Sequence, residues 1–409
     1  MNDLAYTHKK AATLLLIVSA LGYFVDVYDL IIFSVVRTPS LISLGVSGQG
    51  LLSKGLLLLN IQLAGVLVGG LIWGVLGDKL GRLSVLFGSI TIYSAANLLN
   101  AQVSTIWQYE ILRFVSGLGL AGELGAGITI VSEVLPAKVR GYGTMLIASI
   151  GLLGAVVASE CGIHFSWRMS YLIGGVMGLG LLVLRIGVSE SPLFKSLMLM
   201  PAERGNVFML FNKRERAFRY IKCILAGLPL YFVVGILITA SPEIGKSLGL
   251  AQAPSAAVAV MVCYAAMSVG DVLCSSLSQF VHSRRYAIIT FNMLTGIAIA
   301  AYLFLPSGTL SEFYWRCAFL GFGTGFWATV ITNAAEHFGT NLRATVATTV
   351  PNLIRGMLIP ITFIFDPLKA RIGLPASSAI IGLSCVGIAI TASLRMSETF
   401  GKDLNFIEE

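Results

Sequence analysis

Long apolar runs separated by short polar loops recur from one end of the chain to the other. The runs are twenty or more residues long, and a helix of that length crosses roughly 30 Å of hydrocarbon. Ten-residue segments of alternating polarity, the mark of an outer-membrane barrel, are absent, which leaves a helix bundle as the spanning architecture. The pattern predicts twelve transmembrane helices, at about 11–36, 51–76, 83–102, 105–133, 142–161, 168–187, 218–241, 253–279, 287–306, 311–337, 344–366 and 375–394. The first run, Ala11 to Val36, is too long for a signal-peptide core and lacks a small-residue cleavage site, so it reads as helix 1. A polar stretch divides the helices six and six, giving an N-terminal bundle (1–187), a cytoplasmic linker (188–217) and a C-terminal bundle (218–409). The end of the linker, Phe208 to Phe218, is expected to form a short amphipathic helix on the membrane surface.

The two bundles repeat one another. A shift of 203 residues carries Arg82 onto Arg285, Arg113 onto Arg316, Gly122 onto Gly325, Glu133 onto Glu336 and Arg140 onto Arg343. Shared charged positions at an offset near half the chain length imply two six-helix halves related by an axis along the membrane normal, with a site between them near the midplane.

Composition agrees with this. Of 409 residues 56% are hydrophobic and only 12% charged, too few to surface a soluble protein of this size. On a soluble chain the net charge of +8 would suggest nucleic acid, but here the basic residues lie mostly in loops and set topology, so no nucleic-acid partner is expected. Nineteen of the 28 lysines and arginines fall on one set of loops and adjoining helix ends. Six fall on the other: Arg37, Lys54, Arg168, Lys246, Lys369 and Arg371. This places both termini in the cytoplasm of a cell whose inner (plasma) membrane the chain spans many times. The six cysteines have no paired spacing and the four histidines are scattered, so no disulfide, metal site or cofactor is expected. Neither a clustered catalytic constellation nor a phosphate-cradling loop is present, which argues against a membrane enzyme or an ATP-driven pump.

The loop after helix 2 reads Gly77-Asp78-Lys79-Leu80-Gly81-Arg82, and helix 4 with its exit carries Arg113-Phe114-Val115-Ser116-Gly117, Ser132-Glu133 and Arg140-Gly141. These resemble the signature loop of the major facilitator superfamily and its sugar-porter and metabolite–proton symporter branch. Leu83 departs from the full pattern, and the second-half copy is reduced to Val281-His282-Ser283-Arg284-Arg285. Asp26-Val27-Tyr28-Asp29 in helix 1 resembles the phosphate–proton symporters of that branch. The resemblance implies alternating access. It gives Asp78, Arg82, Glu133 and Arg140, with Glu336 and Arg343 in the second half, the role of a cytoplasmic gate. Helix 5, at Gly151-Leu152-Leu153-Gly154, lacks the glycine-proline signature of drug exporters.

Charges inside apolar spans are costly and are functional candidates. Asp26 and Asp29 lie one turn apart on one face of helix 1. At about 1.5 Å per residue, Asp26 is roughly 15 Å and Arg113 roughly 12 Å from the outer ends of their spans. Those depths match for a salt bridge. The related symporters pair an acid on helix 1 with an arginine on helix 4, so either Asp26 or Asp29 is expected to pair with Arg113. Glu123 lies among Gly119, Gly122, Gly125 and Gly127, where a neighbouring helix can approach closely. It is the candidate proton carrier or ligand for a cationic group. Asp271 and Arg355 have comparable depths and could pair with each other, while Arg316 mirrors Arg113 in a structural or gating role. Deep acids (Asp26, Asp29, Glu123, Asp271) outnumber deep arginines (Arg113, Arg316, Arg355) by one, favouring a site that takes a proton or a cation. Tyr23, Tyr28, Gln62, Tyr231, Tyr264, Trp327, Asn333 and Asn352 could complete a cavity, with Tyr28 and Tyr231 related by the same shift.

The sequence therefore predicts a monomeric, proton-coupled importer of a small polar metabolite in the lipid bilayer, with an amino acid or related charged molecule favoured. The alternatives are a sugar, organic-acid or phosphate symporter, a uniporter of the same fold, and a nutrient receptor without transport.

Overall fold

The computed structural model describes residues 2–48, 50–134, 137–186, 208–305, 308–402 and 408, which form helices and no strand. Among them ten helices are long and apolar enough to cross a membrane, and an eleventh is bent by 40°. Two shorter pieces, Leu310–Gly323 and Trp327–Glu336, occupy the place of the twelfth expected span. In chain order these are helix 1 (Asn2–Ser43), helix 2 (Gly50–Leu80), helix 3 (Arg82–Asn100), helix 4 (Ile106–Leu120 with Glu123–Val134), helix 5 (Ala137–His164) and helix 6 (Trp167–Leu184). The second set is helix 7 (Arg214–Ala226, Leu228–Phe232 and a π-turn Val233–Ile238), helix 8 (Ala256–Phe280), helix 9 (Arg284–Phe304), helix 10 (Leu310–Gly323 with Trp327–Glu336), helix 11 (Thr340–Gly356 with Leu358–Ile372) and helix 12 (Leu374–Leu394).

Residues 187–207 lie outside the described residues, and after one turn at Met209–Asn212 helix 7 already starts at Arg214. The basic run at 213–216 therefore opens a membrane helix instead of forming a separate surface helix.

Helices 4 and 10 show the internal repeat directly. Each begins with a capping box, Thr105 with Gln108 and Thr309 with Glu312, which satisfies amides of the first turn. Each breaks at the glycine pair related by the shift, Gly122 and Gly325. A side chain on Gly325 would meet the backbone of Gly270 and Asp271 in helix 8. One on Gly122 would meet Val85, Ser89 and Trp73. The breaks fall where helix contact is too close for a Cβ. In the motif after helix 2, Gly81 turns the chain in a single residue at φ 98°, a conformation reserved for glycine, so that helix 3 starts at Arg82. The second-half turn is also left-handed, at His282 (φ 55°), with its ring against Phe400.

Helix 1 packs along helix 5 in the first half. Helices 5 and 8, and helices 2 and 11, form the seam between the halves, while helices 3 with 6 and 9 with 12 pair on the outside. At the face opposite the Gly81 turn, the buried Arg37 reaches across to Glu243 at 2.6 Å, and Asn60 donates to Thr362 at 2.7 Å. On the Gly81 side, Thr144 and Thr332 share a hydrogen bond at 3.2 Å, and Asn352 donates to the Ala121 carbonyl at 2.8 Å. The seam is thus joined at both ends.

The segment after helix 12 straps the basic face of the second half. Glu398 accepts from the Ser283 hydroxyl and from the Arg284 and Arg285 amides, capping the positive end of helix 9. Glu408 pairs with Arg216 and Arg219 of helix 7. Burial pushes the Glu398 carboxyl up, but the donors from Ser283, Phe400, Arg284 and Thr399 outweigh it and hold it below the usual glutamate range. A depressed folded pKa stabilises the fold above the unfolded pKa, and this contribution disappears as pH falls through the folded value. Glu398→Gln is therefore expected to lower the thermal unfolding temperature at neutral pH. The gap from the parent should close as the buffer is acidified below the glutamate range.

Candidate functional site

Three interrupted helices of the second half meet one continuous helix of the first. Pro229 breaks helix 7 and places Tyr231 on the short segment that follows. The break in helix 10 puts Trp327 at the start of its second piece, and helix 11 is interrupted directly after Arg355 and Gly356. Interrupted helices expose backbone and side chains where a continuous cylinder could not, a usual setting for transporter sites. Facing them, helix 1 contributes Tyr23 and Asp26.

All five side chains are buried. The Trp327 indole donates to the Tyr23 hydroxyl at 2.7 Å and its ring lies 5.8 Å from that of Tyr231. The Arg355 guanidinium sits 5.9 Å from the Trp327 ring centre, within cation–π range. Its Nε donates to Tyr231 at 2.9 Å and one Nη to Asn352 at 3.4 Å. The other Nη faces Asp26 at 3.5 Å, an ion pair without a hydrogen bond. Both Asp26 oxygens and that Nη lack hydrogen-bond partners among the described residues. A buried charge pair held only by Coulomb attraction is poorly compensated for its desolvation. The arrangement favours any event that supplies a proton to the acid or a better acceptor to the arginine.

A second cluster lies inside the first half. Arg113 donates to Gln62 and, at 3.4 Å, to Tyr171, with the Phe33 ring centre 4.8 Å from its guanidinium. Tyr171 in turn bonds Tyr109 at 2.6 Å. Asp29 faces helix 6 at Gly174 and has no hydrogen-bond partner among the described residues.

Several expected pairings are corrected by this geometry. Asp26 pairs across the seam with Arg355, not with Arg113, and Asp29 forms no ion pair with Arg113 either. Three residues along a helix leave side chains about 60° apart, so the two aspartates diverge, Asp26 towards Arg355 and Asp29 towards helix 6 at Gly174. Arg355 does not pair with Asp271, which instead accepts from the Ala328 amide at 2.9 Å and from Ser149 at 3.4 Å. Asp271 thus caps the second piece of helix 10. Asp271→Ala should leave a buried amide unpaired and cost about 1–3 kcal/mol. Asp271→Asn, which keeps an oxygen acceptor, should retain the parent unfolding temperature; a thermal melt of both variants checks this.

Glu123 is not free to serve a ligand in this arrangement. It forms a two-pronged pair with Arg185 of helix 6, both about 1% exposed. Arg185, one of the nineteen basic residues assigned to the cytoplasmic side, is therefore an embedded arginine that the count of deep charges left out. Arg316 lies half-buried near the end of helix 10, bonded to the Leu305 carbonyl. Tyr28 does not mirror Tyr231: its hydroxyl donates to the Ser170 carbonyl at 2.8 Å, within the first half. Asn333 is remote from the seam cluster and accepts from Thr399 at the basic face.

Of the gate residues, Glu336 pairs with Arg284 at 3.2 Å, and Arg343 donates to the Phe338 carbonyl at 3.4 Å. Both contacts stay within the second half. The side chains of Asp78, Arg82, Glu133 and Arg140 lie outside what is described. Sequence reasoning missed Arg37, whose pairing with Glu243 needs a partner 206 residues away that no spacing reveals.

The Major Facilitator Superfamily profile matches residues 19–355. A protein of Haemophilus influenzae, provisionally named as a metabolite transporter, is 26% identical over 360 residues, covering 84% of this chain and 85% of that one. The niacin transporter NiaP of Acinetobacter baylyi is 26% identical over 320 residues, covering 70% of this chain and 72% of its own. Among solved structures, the proton:xylose symporter XylE bound to 6-bromo-6-deoxy-D-glucose superposes with a TM-score of 0.77 at 15% identity, covering 97% of this chain and 98% of that one.

Proposed function

Since the chain belongs to the Major Facilitator Superfamily and is a membrane transporter, not an enzyme, we propose that it takes up a small carboxylate-bearing metabolite together with a proton. An aromatic acid of the size of niacin, carried as its carboxylate, fits this reading. The observation that carries it is the Asp26–Arg355 pair, loosely held in a cage of Tyr23, Tyr231 and Trp327 on the seam between the halves.

The mechanism follows from charge balance. With Asp26 ionised, Arg355 has its counter-charge and the site is neutral. A proton on Asp26 leaves Arg355 uncompensated in low dielectric, where a carboxylate binds it in a charge-assisted, two-pronged fashion. An apolar or aromatic substrate body then lies against Trp327. The loaded site carries the substrate anion, the arginine cation and a neutral acid, so its net charge is again zero. A site that is neutral both empty and loaded can cross the midplane without carrying net charge, which a membrane interior penalises heavily. Proton loss on the far side restores the Asp26–Arg355 pair and expels the carboxylate.

In this reading the halves rock about the seam as monomers in the inner membrane, with both termini cytoplasmic. Arg37–Glu243 serves as the outer latch, and Asp78, Arg82, Glu133 and Arg140 as the inner one. Niacin recognition by NiaP is consistent with an arginine in an aromatic cage.

Uptake of a radiolabelled panel into proteoliposomes under an inward pH gradient tests the proposal. Small aromatic acids should accumulate and hexoses should not. Accumulation of a neutral sugar, with every acid excluded, would overturn it.

A further inference from the structure

A groove of about 710 Å³ opens on the outer surface of the second half, between helix 7 and helix 12. Its walls are apolar, with Phe218 and Ile221 on one side and Ile388 on the other, each more than 40% exposed. Its floor includes Gly387, where a Cβ would meet nothing within 4 Å. At the basic face of the membrane the groove ends at Lys222 and Arg395, and the Lys222 ammonium donates to the Arg395 carbonyl at 3.0 Å. Neither cation has a carboxylate partner among the described residues. From Arg395 up to Ser384 the groove runs eleven residues along helix 12, about 16 Å at the helical rise. That is roughly half of a 30 Å hydrocarbon core, the depth of one leaflet.

We infer that this groove holds one anionic phospholipid of the leaflet on the basic face, with its phosphate on Lys222 and Arg395 and an acyl chain along Gly387. Two uncompensated cations at a headgroup level and an apolar channel one leaflet deep match that molecule in both charge and length. A zwitterionic lipid fits the channel but brings its own cation to the two basic side chains. The site is distinct from the seam cluster, and occupancy would brace helix 7 at its entry, ahead of the break that positions Tyr231.

Native mass spectrometry of the purified, delipidated chain, titrated with phosphatidylglycerol or phosphatidylcholine of the same acyl composition, tests the inference. The parent should retain a single phosphatidylglycerol in preference to phosphatidylcholine. With each cation contributing on the scale found for basic residues at anionic surfaces, Lys222→Gln with Arg395→Gln should weaken phosphatidylglycerol about thirty-fold and erase the preference. Gly387→Leu fills the channel and should weaken both lipids. Thermal melts of the variants, expected to match the parent in detergent, separate lost binding from lost fold. Equal retention of the two lipids by the parent, an unchanged preference in the double variant, full retention by Gly387→Leu, or a dimer that covers the groove would each overturn the inference.

Discussion

Asp26→Asn is expected to convert the protein from a concentrating transporter into an exchanger. The substitution mimics the protonated acid, so Arg355 is permanently available to a substrate carboxylate and no longer exchanges partners with a titrating group. Counterflow of labelled substrate between equal internal and external pools should persist. Accumulation driven by a pH gradient should vanish. For one proton per carboxylate, a gradient of one pH unit supports about ten-fold accumulation in the parent, because a unit of pH is worth the same free energy as a ten-fold concentration ratio. In the variant that ratio should fall to unity. Arg355→Gln removes the carboxylate's partner and should abolish both modes. Persistence of full accumulation in Asp26→Asn would place coupling elsewhere, with Asp29 the next acid to examine.

Arg185→Gln should produce the largest loss of stability. It strands the Glu123 carboxylate, 1% exposed, at the break of helix 4 with helix 1 passing over it at Gly22. Removing one partner of a buried pair costs about 3–5 kcal/mol, because the remaining charge keeps its desolvation penalty without its compensation. All six cysteines are buried, so a thiol-reactive fluorophore reports unfolding on heating without a further label. The double variant Glu123→Gln with Arg185→Gln should recover most of the loss, since two amides can bond each other. If the double variant retains proton-driven uptake, Glu123 is a structural acid; if it folds normally and loses uptake, Glu123 belongs to the transport path.

The fold was legible because bilayer thickness imposes a length on every apolar run and the repeat marks equivalent positions twice. Gly122 and Gly325, matched by a simple shift, both sit at helix breaks. The site was legible only as an inventory. Asp26, Arg355, Tyr231 and Trp327 are identifiable as embedded polar or aromatic residues, but their grouping depends on three helix interruptions and on an approach between halves more than 300 residues apart in sequence, as in the Trp327–Tyr23 bond. Depth arithmetic matched Asp26 to Arg113 because it ignores azimuth, and a 60° difference around helix 1 turns Asp26 to Arg355 on the seam and Asp29 to helix 6. Arg185 was read as a topology charge because it lies near a span end, where snorkelling to the interface is the usual outcome. Helix 6 instead turns it inward to Glu123.

The most direct test of the central claim is the number of protons and charges moved per substrate. It is read from proteoliposomes loaded with a pH-sensitive dye while labelled substrate uptake is followed under a clamped membrane potential. The account predicts one proton per carboxylate at a rate and extent that do not change with the sign of the potential, and no acidification in Asp26→Asn. Substrate entry without acidification in the parent, or acidification that follows the potential, would contradict the exchange of a proton and a carboxylate on the Asp26–Arg355 pair.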